Sequence, residues 1–483
     1  MFKFLFKKEL MENIQNYRFL LALVLCLVII PLGFYVNVKD YLERRQIYDE
    51  TIRDYENTRK TVNDILKGGG MAFRPPSPLG LLSGGIELVL PNSVETRGVI
   101  SDEGADVHFN DSRRVDNPFI SLFGRLDLAF IVSTVVAVLI MIFSFNAISA
   151  EKEHRTLAQL MANSVSRSAV ITAKLAAGTL LMCTSFLEGI LVGVVMILLS
   201  GLNPLRWPDT WMMLAVGVCV SIIFLLVFYN LGLFISSLNR SSESAMVIML
   251  ASWVAMAMVI PKGSGIAAKL LIPVKSQQVI DLQKRQLRLQ IDRELEARLQ
   301  KLAQLTPDIT GMTDDDYFKA REGKSPVIDA FEKSQAQQKN HYKARLNSEL
   351  GKIDADFERQ RNRQAALARN ISRLSPISCF MRIIAELSGT GFMQEKAWRE
   401  TRSRFAQLLD RDISNKMRIF TYHNIYYEGT DVDRNAPAPK LPPSPISLEK
   451  ALASVWVDII LLCIYGIFFF TGAYVSFLRY DVR

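Results

Sequence analysis

The run Phe19-Leu-Leu-Ala-Leu-Val-Leu-Cys-Leu-Val-Ile-Ile30 has no charged side chain and no polar face. A helix in a soluble core shows a polar stripe, whereas a helix surrounded by lipid is apolar on all sides. Six apolar stretches each match the roughly 20 residues that cross a bilayer as a helix. They lie at 19–38, 128–149, 175–200, 212–235, 245–260 and 452–478. The sequence therefore predicts an all-α polytopic membrane protein with six transmembrane helices.

The first apolar run has two interpretations, a cleaved signal peptide or a retained anchor. A signal peptide also begins with basic residues and then turns apolar. This run is long for such a peptide and lacks a small-x-small cleavage site, and Pro31, Phe34 and Tyr35 lie near its end. These features favour the retained anchor.

The charge of the chain does not indicate a nucleic-acid-binding protein. Of its 483 residues, 49% are hydrophobic and 22% are charged, and the formal net charge is +9. No module that combines basic and aromatic residues for binding nucleic acid occurs in the sequence. We attribute the positive charge to membrane-flanking loops and to a polar helical domain, and we expect no nucleic acid as a partner.

Cysteine and histidine usage gives no disulfide framework and no metal centre. Four cysteines lie in apolar runs and are expected to act as small buried hydrophobes: Cys26, Cys183, Cys219 and Cys463. Cys379 is the one in a polar segment, so the outer domain must be held by packing. The four histidines do not cluster at metal-ligand spacing: His108, His154, His341 and His423.

Basic residues in short loops predict the orientation in the membrane. Lys and Arg that flank a span stay in the cytosol, and residues 1–18 hold Lys3, Lys7, Lys8 and Arg18. Six crossings then place the loop 150–174 and the tail 479–483 in the cytosol as well. We expect both termini on the cytosolic side of a bacterial inner membrane, with 39–127 and 261–451 outside. Residues 1–18 form either an interfacial amphipathic helix, which we favour, or a frayed tail.

The two outer segments differ in character. In 39–127 the first helix is predicted to continue through 39–66 and to end at Gly68-Gly-Gly70, and Gly85-Ile-Glu-Leu-Val-Leu90 favours a short strand. In 261–451 two amphipathic helices, near 280–302 and 328–372, predict an antiparallel helical hairpin. The apolar stripe of the first helix is Ile280, Leu287, Ile291, Leu295, Leu299 and Leu302. The hairpin is either a bare stalk or a contact surface for a substrate or an outer accessory protein, and the sequence favours neither.

The segment Ala150-Glu-Lys-Glu-His-Arg-Thr-Leu157 follows the second span. Glu151 and Glu153 fall in the first turn of a predicted short helix, where the helix dipole favours negative charge. Leu157 and Leu160 follow on one apolar face. Such a helix can lie on the membrane surface and present side chains to a cytosolic partner. The alternative is an interfacial loop without a partner.

This segment resembles a motif of type-2 ABC permeases, in which Gly-Glu-Lys-Glu-x-Gly-Thr-Leu precedes Asn-Pro-Val-Ser-Arg and Gly-Lys. The chain continues with Asn163-Ser-Val-Ser-Arg167 and Ala173-Lys174. Four residues replace glycine or proline of the pattern: Ala150, Arg155, Ser164 and Ala173. Three further stretches resemble the branch named for copper-enzyme maturation, whose members carry a large insertion before the last span: Asp127-Leu-Ala-Phe-Ile-Val132, Asn370-Ile-Ser-Arg-Leu-Ser-Pro376 and Ser388-Gly-Thr-Gly391.

The resemblance implies a half-transporter, an exporter, that pairs with a second permease, identical or related, and with two cytosolic ATPase subunits. It also implies that the short helix docks on the ATPase as a coupling helix. The residues carried over by position are Glu151, Lys152, Glu153, His154, Arg155, Thr156, Leu157 and Leu160. The chain lacks the loop Gly-x4-Gly-Lys-Ser/Thr, so ATP and Mg are expected on the partner, and no cofactor or catalytic residue is expected here.

Polar residues within the spans are the remaining candidates. Glu188 is the mid-span acid, and charge in hydrocarbon is costly enough to indicate a use. It either lines a translocation path or hydrogen-bonds within a helix pair, and we favour the second. Asn230 is likewise interpreted as an interhelical hydrogen bond rather than a ligand of the path. Asp127 and Asp458 lie near span ends, where we expect water to reach them.

Three functions compete. The resemblance makes an ABC exporter permease the leading hypothesis. An ATPase-driven complex that does mechanical work or signals, without substrate flux, is the second. A proton-coupled secondary transporter is disfavoured by the single mid-span acid and by the lack of a detectable inverted repeat. The sequence does not indicate the substrate.

Overall fold

The structure is a computed structural model that describes most of the chain. The described residues are 2–60, 70–87, 93–101, 104–112, 125–162, 165–200, 209–305, 312–313, 316, 319, 325–416, 419–422, 425–428 and 447–480. They divide into two compact units. The first consists of Met1–Val99, Ala105–Lys262 and Ile371–Arg483, and the second of Ile100–Gly104 and Gly263–Asn370.

Within the described residues, six helices are long and apolar enough to cross a membrane, which confirms the predicted fold class. Helices suit this role because their backbone groups are all hydrogen-bonded internally, as hydrocarbon requires. In chain order the helices are α1 (Phe2–Ile14), α2 (Tyr17–Thr58), α3 (Leu128–Phe130, continued by Ile131–Val136 and Ala137–Ser144), α4 (Ser149–Glu153), α5 (Thr156–Ala162), α6 (Arg167–Leu199), α7 (Thr210–Leu238), α8 (Ser242–Val254, continued by Ala255–Val259 and Ile260–Leu271), α9 (Gln277–Gln304), α10 (Pro326–Ser372), α11 (Pro376–Leu387), α12 (Phe392–Lys416) and α13 (Leu448–Arg479). The spans are α2, α3, α6, α7, α8 and α13.

The first span, α2, is one helix of 42 residues that begins at Tyr17 and ends at Thr58. Asn16 caps it, because its side chain accepts a hydrogen bond from the Arg18 N–H at 3.0 Å. The predicted continuation beyond residue 38 is confirmed as far as Thr58. The predicted end at 68–70 is wrong, because the helix ends at Thr58 with Arg59 as its C-cap.

The second span begins at a buried carboxylate. Asp127 accepts hydrogen bonds from the N–H groups of Gly84, at 2.7 Å, and Phe130, at 2.8 Å. Burial raises the pKa of Asp127, and these two bonds oppose that rise. The expectation that water reaches this residue is wrong, since it is buried. The span then passes through a π-helical stretch, Ile131–Val136, and a second such stretch, Ala255–Val259, lies in α8.

The fourth span, α7, packs against α13, α3 and α11. Its Phe224 ring lies 4.7 Å from the Phe228 ring and 4.4 Å from the Phe380 ring of α11, between centroids. The first and third spans form a second close pair. There, a Cβ at Gly193 would lie 2.2 Å from the Phe34 ring, so a larger residue could not occupy this position without a shift.

Helix α11, which falls within the predicted outer segment 261–451, packs against the spans α7 and α13. Asp458 of α13 forms an ion pair with Arg382 of α11. It forms a second ion pair, at 2.9 Å, with Arg373, which lies just before α11. Asp458 is 1% exposed. The expectation that water reaches this carboxylate is therefore wrong, because the two arginines replace the water. Cys379, also in α11, is buried and unpaired.

Two small sheets accompany the helices. β1 (Gly70–Phe73), β2 (Ser93–Ser101) and β3 (Gly104–Ser112) form a sheet in that order, and β4 (Ile419–Tyr422) pairs antiparallel with β5 (Ile425–Glu428). β1 and β2 are antiparallel, with Gly70 opposite Thr96. The strand predicted at 85–90 is a turn up to Glu87, and 88–90 lie outside the described residues. Gly85 has φ +47, and a Cβ there would lie 2.4 Å from the Thr390 carbonyl oxygen. This close approach requires glycine in a turn.

In the second unit, α9 and α10 form an antiparallel pair. Lys284 binds Asp354 at 2.5 Å, and Arg345 binds Glu294 at 2.7 Å. Residue numbers rise along one helix as they fall along the other, which defines the antiparallel order. The predicted stripe on α9 is buried or half-buried, with Ile291 2% exposed. Most of the connection between the two helices lies outside the described residues: 306–311, 314–315, 317–318 and 320–324.

Candidate functional site

The 149–162 segment, which contains the predicted coupling residues, forms two short helices rather than one. α4 ends at Glu153 and α5 begins at Thr156. Between them Arg155 has φ +58, a left-handed conformation that disfavours side chains with a Cβ. In the motif that the segment resembles, this position is glycine, which adopts positive φ without steric cost. The expectation of one continuous helix is therefore wrong, and the turn explains the glycine of the pattern.

A buried lysine fastens α4 to two other helices. Lys174 Nζ of α6 lies 2.7 Å from Glu151 Oε1 and 3.0 Å from Glu9 Oε1 of α1. Lys174 is 5% exposed and Glu9 is 6% exposed. A charged lysine is retained at such a site only when carboxylates replace its water. Because both carboxylates bind one ammonium group, α1 and the 149–162 segment lie at the same end of the spans.

The other side of the segment is fastened to the fourth and fifth spans. Ser236 Oγ accepts hydrogen bonds from the N–H groups of Ile148, at 3.0 Å, and Ser149, at 2.9 Å. Lys152 Nζ donates to the carbonyl oxygen of Ser237. Glu153 Oε2 accepts from the Ser242 N–H at 3.1 Å, at the start of α8, where the helix dipole favours negative charge. A displacement of α4 must therefore move the ends of α7 and α8 or break these bonds.

The end of the sixth span meets the same region. Lys152 Nζ lies 4.3 Å from the centroid of the Tyr480 ring, within the range of a cation–π interaction. Arg167, the first residue of α6, donates to the carbonyl oxygens of Leu478, at 2.5 Å, and Tyr480, at 2.9 Å. On the first span, Arg18 donates to Asn146 Oδ1 at 2.8 Å. All six spans thus have an end at or next to the 149–162 segment.

The predicted coupling residues differ in exposure, and Glu153 is both exposed and hydrogen-bonded to α8. Leu157 is 2% exposed and belongs to the core, and Leu160 packs against that core. Glu151 and Lys152 are half-buried in the contacts above. We call the remaining four the exposed edge: Glu153, His154, Arg155 and Thr156. The exposed edge is open to contact by another protein.

The two polar mid-span residues lie in different surroundings. Asn230 is buried, and its Nδ2 donates to the Gly466 carbonyl oxygen of α13 at 3.1 Å, which is the interhelical hydrogen bond favoured for it. Glu188 is exposed on an apolar face of α6, next to Leu187 and Leu191. The described residues give Glu188 no hydrogen bond within this chain, so the intramolecular bond favoured for it is absent from that part of the structure.

Sequence reasoning did not find the residues that hold the segment. Lys174 was quoted as part of the motif, yet its partner Glu9 is 165 residues away in the chain. Nothing in the sequence marks Ser236 and Ser237 as functional residues except their position at the end of an apolar run. Among the described residues, no three His, Cys, Asp or Glu side chains lie together in a way that could bind a metal ion.

The comparisons with known proteins agree with this architecture. A family model described as "ABC-2 family transporter protein" matches residues 4–482. No curated protein and no solved structure matches the chain. Because the family match spans almost all of the sequence, and because six helices are suited to cross the bilayer, the chain belongs to the ABC-2 transporter family as a multi-pass membrane permease subunit of an ABC transporter.

Proposed function

We propose that this permease works in an ATP-driven exporter and that the 149–162 segment is its coupling element. One observation carries the proposal. The segment is fastened to the spans through Lys174, Ser236 and Glu153, and it keeps the exposed edge open. A coupling element needs both properties. Its exposed surface must contact the ATPase, and its bonds to the spans must transmit the movement of the ATPase to them.

The partners follow from the proposed role. A pair of cytosolic ATPase subunits binds ATP and Mg and contacts the exposed edge, and a second permease, identical or related, completes the transporter. The cytosolic placement rests on the basic residues of 1–18 and on the shared contact of Glu9 and Glu151 with Lys174. Both termini would then lie in the cytosol at a bacterial inner membrane. Membership of the copper-enzyme-maturation branch rests on sequence resemblance alone, and we propose no role for copper.

The test places two negative charges on the exposed edge. We expect Arg155→Glu combined with Thr156→Glu to abolish copurification of an ABC ATPase, identified by mass spectrometry, with the full-length chain from its own membranes. The fold should be retained, since both side chains are exposed. The control is Lys262→Glu, an exposed charge reversal in α8 far along the chain. Retention of the ATPase by the double variant would refute the coupling assignment.

These exposed positions are better probes than Leu157. Leu157→Ala would remove a core side chain, and such changes cost about 2–5 kcal/mol through the cavity that they leave. A loss of ATPase binding in that variant would therefore not distinguish lost contacts with the ATPase from a damaged fold. Glu153→Ala is intermediate, because it removes the bond to Ser242 as well as a charge on the exposed edge.

A second candidate function is mechanical work on the outer side without substrate flux. α10 has 47 residues, which corresponds to a rod of about 70 Å. It ends one residue before Arg373, whose guanidinium is bound to Asp458 of the last span. Movement of that span can therefore act on the base of α10. ATP hydrolysis coupled to the permease, with no flux of any candidate substrate in proteoliposomes, would favour this function over export.

A further inference from the structure

A groove between the C-terminal ends of α7 and α13 brings three cationic side chains together. It has a volume of about 560 Å³. The cations that line it are Lys152, Arg240 and Arg479, and Ser237 and Ser476 add polar groups. The permease function uses Lys152 to fasten α4, but it gives no role to Arg240 or Arg479.

The charge of the groove is not neutralised within the described part of the chain. Lys152 donates to the carbonyl oxygens of Ser237 and of Asn239, and carbonyl groups carry no net charge. Arg240 and Arg479 are exposed. No described carboxylate forms an ion pair with any of the three. The groove therefore has a charge that favours an anionic occupant.

The rest of the lining is apolar and belongs to the two spans. Phe234, Leu238 and Val475 line it together with Gly472. A Cβ at Gly472 would lie 2.8 Å from the Phe234 ring, so the glycine lets α7 and α13 approach closely beside the groove. A small soluble anion would gain nothing from this apolar surface. An occupant that combines an anionic group with hydrocarbon would use both parts of the groove.

We infer that the groove binds an anionic phospholipid of the cytosolic leaflet. Its headgroup phosphate lies on Arg240 and Arg479, and an acyl chain follows Phe234 and Val475 along the spans. Basic pockets between the cytosolic ends of transmembrane helices are suited to such headgroups. The placement in the cytosolic leaflet rests on the proposed function, whereas lipid binding itself is measured without the ATPase.

The experiment compares lipids on the purified full-length permease. Native mass spectrometry would measure retention of phosphatidylglycerol and of phosphatidylcholine, added separately to delipidated protein. We expect the wild type to retain phosphatidylglycerol preferentially. Arg240→Gln combined with Arg479→Gln should weaken that binding about 25-fold, because each basic residue near an anionic lipid strengthens binding roughly fivefold. Binding of phosphatidylcholine should not change.

The matched control is Lys262→Gln combined with Lys269→Gln, which removes the same charge from exposed positions in α8. The inference is overturned if the arginine variant retains phosphatidylglycerol like the wild type, or if the control loses it equally. Displacement of the lipid by glycerol 1-phosphate at equal concentration would define a simple anion site instead. Loss of ATPase copurification with intact lipid binding would assign the groove to the partner interface.

Discussion

Replacing Lys174 with methionine tests the buried joint between α1, α4 and α6. Methionine keeps much of the length of the side chain but removes its charge. Glu9 and Glu151 would then face each other without a counterion, with side chains 8% and 19% exposed. Both carboxylates would have to remain charged without a partner, bind a proton, or move into water.

The expected cost follows from the burial of these groups. Removing one partner of a buried ion pair costs about 3–5 kcal/mol, because an uncompensated charge remains. For a chain of this size we expect the midpoint of thermal unfolding to fall by about 5 °C. Combining Lys174→Met with Glu9→Gln and Glu151→Gln should recover most of this loss, since neutral amides do not repel each other.

The assay is thermal unfolding of the purified permease in one detergent, followed by tryptophan fluorescence. Lys8→Met is the matched control. Lys8 also pairs with a glutamate, Glu12, at 3.4 Å, but both side chains are about half exposed. Such surface pairs contribute at most about 0.5 kcal/mol. If Lys174→Met unfolds at the same temperature as Lys8→Met, the ammonium group does not hold this joint together and the reasoning is wrong.

Three further predictions concern single positions. Arg155→Gly should stabilise the fold by about 0.5–1 kcal/mol, because glycine adopts φ +58 without strain; a lower unfolding midpoint would contradict this. Gly178→Ala should destabilise by about 1–3 kcal/mol, since its Cβ would lie 1.9 Å from Tyr229 Oη. Adding Tyr229→Phe should recover part of that loss, and no recovery would argue against the clash. Glu188→Gln should change the free energy of unfolding by no more than about 0.5 kcal/mol, because the side chain is exposed and has no hydrogen bond among the described residues; a large loss of stability would refute the exposed position of Glu188.

Hydropathy predicted the six spans because a bilayer imposes a simple rule on any crossing segment. A segment in hydrocarbon must form its backbone hydrogen bonds internally and cannot expose charged side chains to lipid. Its length and composition are therefore enough to identify it. The same rule did not indicate that α11 packs against the spans. Its charged Arg382 gave it a polar appearance, and its burial depends on Asp458 from a helix much later in the chain. No strand was predicted at β4 and β5, because four-residue strands leave little periodicity to detect.

The sequence suggested a position for the candidate site but could not indicate its geometry. The motif marked the 149–162 segment, and Glu151 lies in the first turn of α4 as predicted. Glu153, predicted for the same turn, is instead the last residue of α4, and it accepts a hydrogen bond from the first turn of α8. The break at Arg155 depends on one backbone angle, which the sequence does not encode unless a glycine marks it. The contacts of Lys174 and Ser236 join residues far apart in the chain, and no local pattern can reveal them.

The unbroken first span has a mechanical consequence. A helix of 42 residues is about 63 Å long, whereas the hydrocarbon core of a bilayer is about 30 Å thick. About half of this rod therefore projects beyond the lipid, and it has no loop at the boundary to act as a hinge. If the rod tilts by ten degrees about its end at Tyr17, the tip near Thr58 moves through about 11 Å. A small reorientation within the bilayer is thus magnified into a displacement of about two helical turns.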